Sequence, residues 1–245
     1  MTPAAVGIRC PEHSGKPQGI QRVTRTVQKV GHESVGAYVT KTLIGINIAV
    51  FLLELASGGS VNGTGSSIYE NGALYGPLVA AGDWWRLGTA AFLHYGFFHL
   101  AINMYSLWWV GQALEHALGR GRFLGLYLVS GIAGSAGALL WTPLAVTVGA
   151  SGAIFGVLGA ALIMERRGSL VFGGQAMSLI VINLVITFLV PGISVGGHVG
   201  GLVGGALCML AIYRFPRAPA LQVASMVGVA AVSVAIAYWK VRGYA

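Results

Sequence analysis

Charge is scarce in this chain of 245 residues: only 9% are charged, and Asp83 is the single aspartate. A soluble domain carries about 25% charged residues, so water is excluded as the main solvent and lipid takes its place. Cysteine is nearly absent too. Cys10 and Cys208 are too few for a disulfide framework, and Cys208 reads as a small buried residue in an apolar run. No apolar run precedes the first long one, so a cleaved signal peptide is not expected. Nothing resembles a second, soluble domain.

What is abundant is apolar: 55% of the residues are hydrophobic, and glycine occurs 38 times. Runs of roughly 17 to 25 apolar residues span a bilayer as helices. Seven runs are candidate spans, at about Val39–Ala56, Phe97–Leu114, Phe123–Leu140, Ala150–Met164, Ala176–Val190, Ser194–Tyr213 and Leu221–Trp239. The fourth and fifth are short. The fold class is therefore an all-α polytopic membrane protein. Residues 1–37 read as a flexible cytoplasmic tail, 38–214 as a helical core, and 215–245 as a linker with a seventh span.

The net charge of +8 is a topology signal. With the N-terminus inside, twelve of the 15 Lys and Arg residues fall on the inner side, leaving Arg86, Lys240 and Arg242 outside. The positive-inside rule favours that orientation, with the lipid bilayer as partner and no nucleic acid. In "CPEH", Cys10 and His13 have the spacing of half a zinc site, but no second pair lies nearby and a structural zinc takes four ligands. No metal site is expected. The long outer loop, 57–96, begins with a flexible-looking "SGGSVNGTGSS", in which Asn62 matches a weak glycosylation pattern. Its second half is aromatic, and Trp84, Trp85 and Arg86 suit an interfacial element. Glu54 reads as an interfacial, snorkelling carboxylate.

Polar groups inside a membrane are costly, and each is a functional candidate. Helix rise from charged markers of the inner surface estimates their height. Ser151 precedes Glu165 by 14 positions and His198 precedes Arg214 by 16, which gives about 21 Å and about 24 Å. His99 and Asn103, measured from Glu115, come to about 24 Å and about 18 Å. Polar groups from different helices thus fall in one layer, roughly 6 to 12 Å beneath the outer surface of a hydrocarbon core about 30 Å thick.

"GASGAIFG" places Ser151 beside the pair Gly152/Gly156, and "GGHVGGLVGG" places His198 beside Gly200/Gly204 and Gly201/Gly205. Small-xxx-small faces let helices approach closely, and two such faces bring a hydroxyl towards an imidazole. Ser151 is then a nucleophile with His198 as its base; the bland reading is that these are packing residues. A third, orienting carboxylate is missing, because Asp83 lies in the outer loop. The arrangement reads as a dyad in which packing orients His198, with Phe155 one turn after Ser151 placed to lie face-on to the ring. His99 and Asn103, four apart, share a helix face and supply donors for an oxyanion; interhelical glue is the alternative for Asn103.

These blocks, with "WWRLGTAAFLHYGFFHLAINM" and "EHALG", resemble the rhomboid family of intramembrane serine proteases over roughly Thr40 to Tyr213. The strict G-x-S-x-G of soluble hydrolases fails at Ala153. The resemblance implies a six-helix catalytic core plus an added C-terminal helix, a Ser151–His198 dyad, and an oxyanion site of His99, Asn103 and the Ser151 backbone N–H. It assigns His94, Phe155, Gly149 and Gly152 to site support, needs no cofactor, and implies transmembrane protein substrates. It also implies an integral protein of the plasma (inner) membrane whose site opens outwards. Two other classes compete: an inactive relative that binds helices, which usually lacks the serine or histidine kept here, and a small transporter, whose polar groups would spread along a pore.

Overall fold

The computed structural model describes residues 2–4, 7–9, 36–63 and 65–244. The chain divides into two units, 1–36 and 37–245. In the first, β1 (Thr2–Ala4) pairs antiparallel with β2 (Gly7–Arg9). Cys10, His13 and most of the expected flexible tail lie outside the described residues.

The second unit is helical. Its elements are α1 (Tyr38–Ala56), the outer-loop helices α2 (Ser67–Gly72), α3 (Gly76–Ala80) and α4 (Arg86–Thr89), then α5 (Gly96–Ser106), α6 (Gln112–Leu118), α7 (Arg120–Trp141), α8 (Ser151–Arg166), α9 (Ala176–Leu189), α10 (Val195–Arg214) and α11 (Pro219–Val241). A backbone in lipid must bond to itself, which makes helix the only open-chain solution. The second expected span is in fact α5 and α6 joined through a π-helical turn, Leu107–Gly111. Among the described residues, four helices are long and apolar enough to cross a membrane by length and composition, namely α1, α7, α10 and the C-terminal run Pro219–Tyr244, and α9 is a shorter apolar helix.

Three of the scarce charged residues sit where helix ends or the outer loop leave backbone groups unpaired. Glu115, 3% exposed, accepts hydrogen bonds from the N–H groups of Val39 (2.9 Å) and Thr40 (2.8 Å) and from the Thr40 hydroxyl (2.8 Å). This places a carboxylate on the positive end of α1. Glu165 does the same for α9, accepting from the N–H groups of Phe172, Gly174 and Ala176 at 3.0–3.1 Å. Arg86 organises the outer loop. Its guanidinium is paired with Asp83 (2.9 Å) and donates to the carbonyls of Glu70 and Ala73, both at 2.8 Å.

That loop is more ordered than its composition suggests. Gly59 N–H bonds the Glu54 carbonyl and Phe97 N–H bonds Val61, tying the Gly-Ser stretch to the end of α1 and the start of α5. Leu74 and Thr147 form an antiparallel bridge between the loop and the α7–α8 connection. Trp85 remains 54% exposed, as an interfacial residue would be. Glu54 differs from its expected interfacial place: it is 4% exposed, near Gly59, Ser66, Tyr69 and His94, and Oε1 has no hydrogen-bond partner among the described residues. The folded loop covers a carboxylate that α1 alone would leave open.

The core centres on α10, whose buried face (Gly201, Gly204, Gly205, Cys208, Met209, Ile212) packs between α7 and α8. Cys208 is a free, buried thiol. The C-terminal helix α11 docks on α7, where Arg122 donates to Gln222 (2.9 Å) and Gly125 faces Met226. Further along, Ala237 and Val241 join an apolar cluster with Leu74, Val79 and Leu139. Because Glu115 accepts three hydrogen bonds in a buried setting, Glu115→Ala is expected to cost about 2–4 kcal/mol, read as a lower unfolding midpoint in detergent.

Candidate active site

The local sequence around Ser151 forces its position. Gly149 has φ of +120°, a region that L side chains rarely adopt, and its N–H bonds the Ala90 carbonyl at 2.9 Å. The chain turns there and α8 begins at Ser151, so the hydroxyl stands at a helix N-terminus whose first N–H groups have no intrahelical acceptor. Opposite, Ser194 caps α10 by accepting from Gly197 N–H, and His198 follows one turn into the helix.

Glycine sets the distance between the two helices. A Cβ on Gly201 would fall onto the Gly152 carbonyl oxygen, and one on Gly205 onto the Gly156 carbonyl oxygen. The pair Gly201/Gly205 thus meets Gly152/Gly156, as the small-residue pattern suggests. The other pair has a different partner: Gly200 lies against Ala133 and Gly137, and Gly204 against Ala133, all on α7. One glycine-rich helix serves two neighbours.

Across the first contact, His198 Nε2 lies 2.8 Å from Ser151 Oγ. Phe155 stacks on the imidazole with ring centroids 4.0 Å apart and planes 17° apart, the face-on arrangement expected from its place one turn after Ser151. The remaining ring nitrogen has a partner that the spacing did not suggest: Thr187 Oγ1 on α9, 2.7 Å from His198 Nδ1. Thr187 is 3% exposed, and its hydroxyl is also 2.7 Å from the Asn183 carbonyl oxygen. A threonine four residues after an asparagine reads as helix-internal bonding. The available signal was a polar pair, Asn183 and Thr187, in a short apolar span.

His99 and Asn103 converge on Gly149. Tyr95 N–H donates to His99 Nδ1 at 3.2 Å, so the ring proton resides on Nε2, and that atom would lie 2.8 Å from a Cβ built on Gly149. Asn103 Nδ2 donates to the His99 carbonyl at 2.9 Å and keeps a second N–H; it lies 3.9 Å from the same Cβ position. Two N–H donors therefore border the turn that carries Ser151. His94, 1% exposed, meets His99 edge-on with ring centroids 5.1 Å apart. Burial, with His99 beside it, holds the His94 imidazole far below its ordinary pKa, and neither ring nitrogen has a hydrogen-bond partner among the described residues. Ser151, His198, Phe155, His99, Asn103, His94, Gly149 and Gly152 thus gather at this one end of the bundle, while Cys10 and His13 lie outside the described residues.

A polytopic helical membrane protein with a serine hydroxyl hydrogen-bonded to an imidazole, and N–H donors beside it, defines the class. The Rhomboid domain profile matches residues 81–215, and the chain belongs to the rhomboid family. It is similar to the rhomboid protease GluP of Bacillus subtilis (strain 168), 41% identical over 162 residues, which are 64% of this chain and 31% of that protein. The putative rhomboid protease YdcA of the same organism is 48% identical over 109 residues, 44% of this chain and 54% of that one. The rhomboid protease AarA of Providencia stuartii is 33% identical over 146 residues, 53% and 52% of the two chains. The matched segments span between about a third and about half of these relatives.

Replacing Gly201 by alanine places a methyl group on the Gly152 carbonyl. Gly201→Ala is expected to separate α8 from α10 and destabilise by about 1–3 kcal/mol. Thermal unfolding in detergent measures it, and Gly228→Ala, whose Cβ meets nothing, is the control.

Proposed function

We propose that this protein is an intramembrane serine endopeptidase that cuts peptide bonds within or near transmembrane segments of other membrane proteins. The observation that carries the reading is the 2.8 Å contact between Ser151 Oγ and His198 Nε2 at the start of a short helix. Family membership and relatives named as rhomboid proteases support it. Ser151 attacks the scissile carbonyl while His198 Nε2 takes its proton; the imidazolium then protonates the leaving amine. Water, activated by the same imidazole, hydrolyses the acyl-enzyme. His99 Nε2–H, the free N–H of Asn103 and the Ser151 backbone N–H face the developing oxyanion. Phe155 and His94 hold the two imidazoles.

A helical substrate hides its carbonyls in hydrogen bonds, so segments that unwind easily and carry small residues at the cut are the expected substrates. The N-terminus is cytoplasmic in this reading, the protein sits in the plasma (inner) membrane, and the site opens to the outer side, where water reaches it. The orientation rests on the distribution of Lys and Arg.

The test is cleavage of a single-span substrate by the purified full chain in liposomes, beside Ser151→Ala and His198→Ala. Both variants are expected to lose cleavage, and either one cutting as well as the wild type would remove the dyad. Asn103→Ala is expected to lower turnover about 10²–10³-fold with a matched melting temperature; unchanged turnover would take Asn103 out of the oxyanion site.

A further inference from the structure

We infer that Thr187 is a positioning residue of this site: its hydroxyl, anchored on the Asn183 carbonyl, holds His198 as the Nδ1–H tautomer and so leaves Nε2 free to accept the proton of Ser151. The inference rests on the Ser151–His198 reading above and supplies what the dyad lacks, a group on the far nitrogen of the base.

Counting protons leads there. Three short contacts lie in series: Ser151 Oγ to His198 Nε2 at 2.8 Å, His198 Nδ1 to Thr187 Oγ1 at 2.7 Å, and Thr187 Oγ1 to the Asn183 carbonyl oxygen at 2.7 Å. Each is of hydrogen-bond length, and each needs one hydrogen between its heavy atoms. A carbonyl oxygen only accepts, so the Thr187 hydroxyl hydrogen points at Asn183. Thr187 Oγ1 therefore accepts from His198, and the proton of the neutral ring resides on Nδ1. Nε2 is left with its lone pair, and the Ser151 hydroxyl donates to it. The reverse order would leave two oxygens 2.7 Å apart with no hydrogen between them. A single direction satisfies all three contacts, and it is the one a general base requires.

The same chain fixes the ring in space. Phe155 limits tilt by lying flat on one face, but a stacked contact leaves rotation in the ring plane free. Bonds at both nitrogens remove that freedom. Thr187 has few alternatives, since it is buried on α9 while its neighbours Val185, Ile186, Phe188 and Leu189 are exposed. Asp83, the only aspartate, is engaged by Arg86 in the outer loop and does not share this role.

The experiment compares Thr187→Val, which keeps the shape and loses the hydroxyl, with Thr187→Ser, which keeps the hydroxyl. The full chain is used in lipid nanodiscs. Readouts are kcat and KM on a tagged single-span protein with an Ala- and Gly-rich segment, the rate of labelling by a fluorophosphonate, and 15N histidine spectra with His198 assigned by its loss in His198→Gln. The wild type is expected to show His198 protonated on Nδ1. Thr187→Val is expected to lower kcat and labelling about ten- to hundredfold with KM within about twofold, and to move proton density to Nε2. Thr187→Ser is expected to restore both. Wild-type His198 protonated on Nε2, a Thr187→Val enzyme with unchanged kcat and tautomer, or a Thr187→Ser enzyme tenfold or more slower than the wild type would each overturn the inference; the first and third need no folded valine variant. Failure of the underlying reading is separate: the wild type then neither cuts nor labels, or Ser151→Ala still does both.

Discussion

The approach of α8 to α10 is the constraint on which the rest depends. Between helices in lipid there is no hydrophobic drive of the kind that operates in water, and close packing has to hold them together. Carbonyl oxygens of Gly152 and Gly156 occupy the places where side chains would begin on Gly201 and Gly205. Any larger residue at those positions widens the gap, and the 2.8 Å contact between Ser151 and His198 is lost with it. Packing and candidate chemistry are thus one arrangement. α7 completes it from the other side by taking Gly200 and Gly204 of the same helix.

Scarcity of charge has a structural counterpart. Glu115, Glu165 and Arg86 each bond backbone groups that a helix end or loop leaves open, and Asp83 is paired with Arg86. A charged side chain is costly near lipid, and Glu115, Glu165 and Arg86 are each held by three polar partners. Glu115 carries the start of α1, Glu165 the start of α9, and Arg86 the loop that bridges through Leu74 to the segment ahead of Ser151. These groups set the frame in which the site residues stand, without touching them.

Much of this was legible in the sequence because apolar length and small-residue spacing are local properties. The helices lie where the apolar runs are, and the height estimates put Ser151, His198, His99 and Asn103 in one layer, near which the structure gathers them. Phe155 followed from one helical turn. What was not legible depends on contacts between distant segments. The order of the outer loop comes from Arg86 reaching carbonyls 13 and 16 residues away. Glu54 is covered by residues of that same loop rather than held at an interface. The π turn at Leu107–Gly111 lies inside an apolar run and has no composition signal. Thr187 was hidden because its bond to Asn183 explains it locally, while its bond to His198 is seen only once α9 and α10 are side by side.

In the inferred arrangement the three short contacts from Ser151 to Asn183 all donate in one direction, and no member carries a formal charge. A soluble hydrolase orients its histidine with an anion, which in a bilayer would have to be desolvated for as long as the enzyme rests. A chain of aligned dipoles does the orienting without that standing charge. In the proposed reaction an ion pair of imidazolium and oxyanion exists only while a peptide bond is being broken. The membrane then opposes charge during turnover alone, and at rest the site is electrically almost indistinguishable from the helices around it.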